Sequence, residues 1–215
     1  MKEAGASPRR VGMFGGAFDP PHWAHRALAE TALQQLGLDA LHILPTGHAW
    51  HKTRVLSPAA DRVAMCRLAF DDLARVKIDE REIHREGPSY TADTLCELAQ
   101  EYPGAQLFLI LGADQLLAFR TWVRWQEVLE LATLAVANRA TNIGADAPLD
   151  QAVETDLSRV DLPFERLDMP LKNISATAVR ARLGQAAQST AALEVLVPEA
   201  VAGYISTHHL YQIPK

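Results

Sequence analysis

Little in this chain suits it to cross-linking, membrane insertion or wrapping a nucleic acid. Only two cysteines, Cys66 and Cys96, occur in 215 residues, too few for a disulfide framework, and both stand in helical patterns that place them as buried thiols. No apolar run approaches the ~18 residues of a membrane span. Positive charge is not in excess either. Against 21 Lys+Arg stand 26 Asp+Glu, for a net charge of -5, so the global basic field of a general nucleic-acid binder is missing. The opening segment MKEAGASPRR is polar and carries no apolar h-region, so no signal peptide is expected and a soluble cytoplasmic protein is the default. Internal repeats and low-complexity tracts are lacking too.

What remains is a globular composition, 48% hydrophobic and 22% charged, on a length that suits one domain with at most a small appendage. Strand and helix patterns alternate along it. Arg10 to Phe14 reads as a short buried strand ending in Gly15-Gly16, and Trp23 to Leu36 as a helix with Gly37 as its C-terminal cap. Leu41 to Pro45 is the next strand. Ser57-Pro58 then predicts an N-cap and first helical position ahead of a helix bearing Val63, Cys66, Leu68 and Phe70. Val76 to Asp79 is a third strand. Ser89 or Thr91 is placed to cap a helix carrying Leu95, Leu98 and Tyr102. Leu107 to Leu111 has the unbroken apolar run of a parallel strand covered on both faces. One helix with Trp122, Trp125 and Leu129 is predicted next, then a strand at Leu134 to Ala137. Thr141 to Asp161 is polar, with one amphipathic piece near Val153 to Leu157. A strand at Phe164 to Leu167, a short helix capped by Ser175 and closed by Gly184, and an amphipathic helix over Pro198 to His208 complete the pattern.

This β-α rhythm predicts an α/β fold, a Rossmann-like parallel sheet with helices on both faces and a small C-terminal helical appendage. Ligands of such sheets bind beyond the carboxyl ends of the strands. The segments to inspect are therefore Gly15 to His25, Pro45 to Lys52, Asp114, and Asn138-Arg139.

The first of these, GGAFDPPHWAH from Gly15 to His25, is the most informative. Glycines let a ligand approach the backbone, and the helix behind them offers unpaired N–H groups and positive dipole to an anion. His22 and His25, three apart at that helix start, can both donate to phosphate oxygens. The spacing is neither the G-x-G-x-x-G dinucleotide fingerprint nor a Walker A loop, which argues against a hydride-transfer enzyme. Zinc would need further ligands, and Asp19 is the only one nearby.

GGAFDPPHWAH resembles the (H/T)-x-G-H signature of the nucleotidyltransferase superfamily, whose motif typically reads G-G-(S/T)-F-D-P-x-H-x-G-H. Within it, the chain resembles the family of bacterial nicotinate-nucleotide adenylyltransferases. His51-Lys52 matches the end of that family's P-P-H-K loop, and Pro88 to Leu95 its S-Y-T-x-D-T-L segment. Leu111 to Asp114 with Thr121-Trp122 matches its G-A-D and tryptophan motifs, and Ile174 to Arg180 its I-S-(S/A)-T-x-I-R motif. The sequence departs from the pattern at Ala17 (usually Ser or Thr), at Ala24 (usually Gly) and at Ala49-Trp50 (usually Pro-Pro).

The resemblance implies adenylyl transfer from ATP to nicotinate mononucleotide, with Mg²⁺ carried mainly by the ATP phosphates and pyrophosphate released. Its catalytic residues would be His22, His25 and Arg180, with Gly15, Gly16, Phe18, Ser175 and Thr177 binding ATP. Lys52, Tyr90, Thr91, Asp114, Trp122 and Arg139 would form the acceptor pocket, with Trp122 against the pyridine ring; helical spacing and size place Trp125 in the core instead. It further implies a nucleotidyltransferase core over residues 1–170 and a helical subdomain over 171–215 that completes the ATP site. Neither a nucleic acid nor a membrane is an expected partner. Two other readings stand beside this one: adenylyl transfer to another phosphate acceptor, such as nicotinamide mononucleotide or phosphopantetheine, and a non-catalytic nucleotide-binding module on the same fold. S-Y-T-A-D-T-L and Thr121-Trp122 speak against phosphopantetheine.

Overall fold

A computed structural model describes residues 9–47, 56–137, 140–141, 153–169, 174–184 and 193–211. Six strands form one parallel sheet: β1 (Arg10–Gly16), β2 (Ala40–Pro45), β3 (Val76–Ile78), β4 (Gln106–Gly112), β5 (Thr133–Ala137) and β8 (Glu165–Leu167), in the order β3-β2-β1-β4-β5-β8. The expected parallel sheet is the one found. Two short strands, β6 (Ala140–Thr141) and β7 (Val153–Glu154), pair antiparallel apart from it.

Strand alternation divides the interior in two. On one face, Phe14, Leu41, Ile43, Phe108, Ile110 and Ala135 meet α1 (Trp23–Gln35), α2 (Ala59–Phe70) and the C-terminal segment. On the other, Val11, Met13, Leu44, Leu109, Leu134 and Val136 meet α4 (Thr91–Glu101), α5 (Ala113–Ala118) and α6 (Trp125–Leu131). A four-residue helix, α3 (Arg81–His84), bridges β3 and α4. α7 (Ala176–Gly184) and α8 (Glu199–Thr207) close the chain. Leu193, Leu196, Val197, Val201 and Ile205 are buried in the same core as Phe14 and Leu28, so the last helix shares the interior of the sheet domain.

Two local expectations are corrected. Pro58 is the N-cap of α2 and Tyr90 that of α4, with no side-chain cap bond at either; Thr91 is already the first helical residue, and Ser57 uses its backbone N–H elsewhere. The single helix expected through Trp122 and Trp125 is broken into α5, a 3₁₀ turn (Phe119–Thr121) and α6, because Arg124 turns left-handed at φ 60°. The amphipathic piece near Val153 begins as β7. Ser175 does cap α7 as expected, its Oγ accepting the Ala178 N–H at 3.1 Å.

Candidate active site

The strand order reverses between β1 and β4, so β2 and β4 leave β1 on opposite sides and a crevice opens at their carboxyl ends. Gly15-Gly16 at the end of β1 leads directly into the loop that feeds α1. Thr46 ties the loop after β2 to this point, its N–H donating to the Gly16 carbonyl at 2.8 Å. A side chain at Gly16 would stand 3.1–3.4 Å from the Phe18 ring, so glycine there admits the ring beneath the loop.

Phe18 occupies the left-handed region at φ 46° yet is 1% exposed. The conformation costs about 1–2 kcal/mol, and full burial of a ring returns about 1.5–3 kcal/mol, so burial holds the turn. Its ring meets Phe14, His25 and Phe70 edge-on at 5.4, 5.1 and 5.9 Å. Its ring is thus a core group.

His22 is the N-cap of α1 and His25 lies one turn in. Their rings stack at 3.7 Å with 22° between planes, and the His22 N–H donates to His25 Nδ1 at 3.3 Å. His22 is 2% exposed and His25 only half-buried, so the two are not equivalent: His25 is the outer ring of the pair. Ala24, where the family usually has Gly, is buried in the first turn of α1.

The loop is held from several directions. Arg62, 2% exposed on α2, donates to the Ser57 carbonyl through Nε and to the Ala17 carbonyl through Nη1, both at 3.1 Å. Arg180 on α7 donates through Nη1 to the Asp19 carbonyl at 2.6 Å and through Nη2 to Thr177 Oγ1 at 3.1 Å. The buried Asp19 carboxylate accepts the Ser57 N–H at 3.3 Å and the Tyr211 hydroxyl at 2.6 Å. Trp23 anchors the C-terminal segment to the start of α1: its N–H donates to the Leu196 carbonyl and its Nε1 to that of Glu194, at 3.1 and 2.8 Å. The fold therefore sets Gly15, Gly16, His22 and His25 on the β1–α1 turn and brings Arg180, with Thr177, to the same loop at Asp19. Sequence reasoning missed Arg62 and Tyr211. A cation beside the inward positions Val63 and Cys66 was a readable sign for the first, whereas Tyr211 lies past the last amphipathic pattern with no sign of its own.

Across the crevice, Tyr90 and Thr91 form the half-buried N-terminus of α4. Asp114 stands in the first turn of α5 at the end of β4, exposed, accepting Gln115 Nε2 at 3.1 Å. Trp122 sits between the 3₁₀ turn and α6 in extended backbone, its ring 5.4 Å from that of Phe119. Trp125 meets the same Phe119 at 6.3 Å and carries the Arg120 guanidinium over its ring at 5.5 Å. Both tryptophans are half-buried, so the expected division into a core Trp125 and an open Trp122 is not what separates them. Arg124 ties the two helices around this pocket, pairing with Asp93 on α4 and with Glu127 on α6. Lys52, Arg139 and Ala49-Trp50 lie outside the described residues.

Beneath α4, Glu82 is 6% exposed and accepts the Thr94 hydroxyl at 3.0 Å; burial pushes its carboxyl above the usual range. Gly47 passes so close that a Cβ there would meet the Glu82 carbonyl at 1.9 Å, which requires glycine at this position.

A family model described as cytidylyltransferase-like matches residues 13–182. A protein of Albidiferax ferrireducens named "Probable nicotinate-nucleotide adenylyltransferase" is 53% identical over 95% of this chain and 98% of its own length. A protein of the same name from Methylibium petroleiphilum is 42% identical over 98% and 96%. Among solved structures, nicotinic acid mononucleotide adenylyltransferase of Plasmodium falciparum complexed with NaAD superposes with a TM-score of 0.74 at 16% identity, covering 94% of this chain and 97% of that one. These matches place the protein first among nucleotidyltransferases of the cytidylyltransferase-like fold. More narrowly, the chain belongs to the nicotinate-nucleotide adenylyltransferase family.

Proposed function

We propose that this crevice transfers the adenylyl group of ATP to the phosphate of nicotinate mononucleotide, releasing pyrophosphate and forming nicotinate adenine dinucleotide. The observation that carries the reading is the convergence of His22-His25, the N-terminus of the 13-residue α1 and Arg180 on one loop at the sheet's switch point. The nucleophile is a phosphate monoester with a second pKa near ~6, already anionic at neutral pH. The site therefore needs no strong base. Its work is to align two anions and to neutralise the charge growing on the departing pyrophosphate. His25, the outer ring, donates to a phosphate oxygen together with N–H groups of the loop and α1. His22, stacked beneath, fixes that ring and completes the donor pair. Arg180 and the start of α7 meet the β/γ-phosphates, so the C-terminal segment completes the ATP side.

ATP enters as its Mg²⁺ complex, the ion held by the nucleotide's own oxygens and water and supplying charge neutralisation along the phosphates. The loop's one carboxylate, Asp19, is engaged by Ser57 and Tyr211.

On the acceptor side, Trp122 is the shelf for the pyridine ring and Asp114 takes ribose hydroxyls, with Lys52 and Arg139 as further cations. The N–H groups at the head of α4, at Tyr90-Thr91, suit a carboxylate, which only accepts. A carboxamide there would set its NH₂ against a donor, at a cost of about 1–3 kcal/mol. The test is pyrophosphate release from ATP and Mg²⁺ with nicotinate or nicotinamide mononucleotide as acceptor. A preference for the acid of about tenfold or more follows from that cost; equal efficiency would remove the carboxylate reading, and no release with either acceptor would remove the activity. No helix among the described residues is long and apolar enough to cross a membrane.

A further inference from the structure

The last described residue, Tyr211, reaches back 192 positions to Asp19 in the phosphate loop, its hydroxyl donating to Oδ1 at 2.6 Å. The chain is bent to make this contact. After α8 ends at Thr207, His209 and Tyr211 both adopt left-handed backbone, at φ 52° and 63°, a conformation unfavourable for non-glycine residues. Burial and the neighbouring Asp19 carboxylate push the hydroxyl above its usual range, so it is a donor at neutral pH. Asp19 is the joint of the site: one carboxylate oxygen holds Tyr211, the other holds the Ser57 N–H at the entry to α2, and its carbonyl holds Arg180. A second tyrosine of the same segment, Tyr204, donates to Asp61 on α2 at 2.8 Å. The C-terminal segment is thus fastened to the two elements that flank the loop.

We infer that Tyr211 is a positioning residue of the ATP side, setting Asp19 and through its carbonyl the Arg180 guanidinium; this rests on the adenylyl-transfer reading above. The Tyr211 hydroxyl holds one Asp19 carboxylate oxygen, and Arg180 reaches the carbonyl of the same residue. The ring itself packs against the core, so Tyr211→Phe removes the hydroxyl and keeps the packing.

In steady-state pyrophosphate release, Tyr211→Phe should lower kcat/KM for ATP about tenfold, a partial form of the loss that misplacement of a reacting group brings. KM for nicotinate mononucleotide should stay close to wild type, while the melting temperature falls by about 2–4 °C or more because a buried carboxylate loses a donor. In a double variant, Tyr211→Phe added to Asp19→Asn should cost nothing further, since one acts through the other. An unchanged kcat/KM for ATP, a loss spread equally over both substrates, or additive losses in the double variant would each overturn the inference. Failure of the wild type to turn over would instead count against the adenylyl-transfer reading. In that case calorimetric binding of a non-hydrolysable ATP analogue decides, about tenfold weaker in Tyr211→Phe if the inference holds and equal if it does not.

Discussion

The two sides of the crevice are built differently. On the phosphate side, Phe18, Asp19 and His22 are each no more than 2% exposed, and the loop is clasped by Arg62, Arg180, Ser57 and Tyr211 from three separate stretches of chain. On the acceptor side, Asp114 is exposed, Tyr90, Thr91 and Trp122 are half-buried, and order comes from a surface ion-pair set around Arg124. Donors that stabilise developing charge act best when they need no reorganisation at the moment of reaction. A pocket that only has to recognise a ring and a carboxylate tolerates looser side chains, because its contacts are the same before and during the reaction. The difference in construction therefore predicts a difference in kinetic signature: turnover on the phosphate side, affinity on the acceptor side.

The largest effect should come from His25→Ala, which removes the outer donor and should lower kcat about a hundredfold or more, with the melting temperature little changed. His22→Ala should cost comparable turnover but also stability, because it empties a stacked, buried position; thermal unfolding separates the two histidines. Arg180→Met should follow, lowering kcat/KM for ATP by about tenfold to a hundredfold through loss of a charge-assisted contact. Trp122→Ala should break the pattern the other way, raising KM for nicotinate mononucleotide about tenfold while kcat holds, consistent with about 0.5–1.5 kcal/mol for an aromatic pair plus lost contact area. If Trp122→Ala reduced kcat as strongly as His25→Ala, the division of labour between the two sides would fall.

The smallest effect serves as the reference for the others. His42 on β2 is bonded at Nδ1 to Asp79 at 2.7 Å and at Nε2 to the Tyr102 hydroxyl at 3.0 Å. Burial alone would raise the Asp79 carboxyl, but hydrogen bonds from His42 and Arg81 overcome it and hold it far below the usual carboxylate range. A depressed folded pKa contributes stability that is full above the unfolded value, 3.8, and is lost as pH falls toward the folded one. Asp79→Asn should therefore lower the melting temperature by about 2–4 °C at neutral pH. The gap to wild type should narrow below pH about 4, and kcat should be unaffected at either pH.

The same contrast explains what could be read in advance. The sheet was legible because each strand is a short apolar run with a turn signal behind it, and LFLIL of β4 needed no tertiary information. The place of the Gly15 to His25 loop between β1 and α1 was legible because its residues are contiguous. Arg62 and Tyr211 were not, because their roles exist only once α2 and the C-terminal segment fold over Asp19, and no local pattern encodes a contact 192 residues away. The break between Trp122 and Trp125 was hidden for another reason. Three-residue spacing of large side chains predicts a helix, while the left-handed turn at Arg124 is set by its ion pairs with Asp93 and Glu127. The net charge of -5 speaks to a global field alone and says nothing of cations gathered locally, such as Arg62 and Arg180 around Ala17 and Asp19.

The most direct test of this account is the turnover of purified, folded His25→Ala protein with ATP, Mg²⁺ and nicotinate mononucleotide, read as both kcat and KM. A kcat about a hundredfold or more below wild type, at a KM for the mononucleotide near wild type, is the predicted result. Undiminished kcat in the folded variant would contradict it and take the chemistry away from this loop.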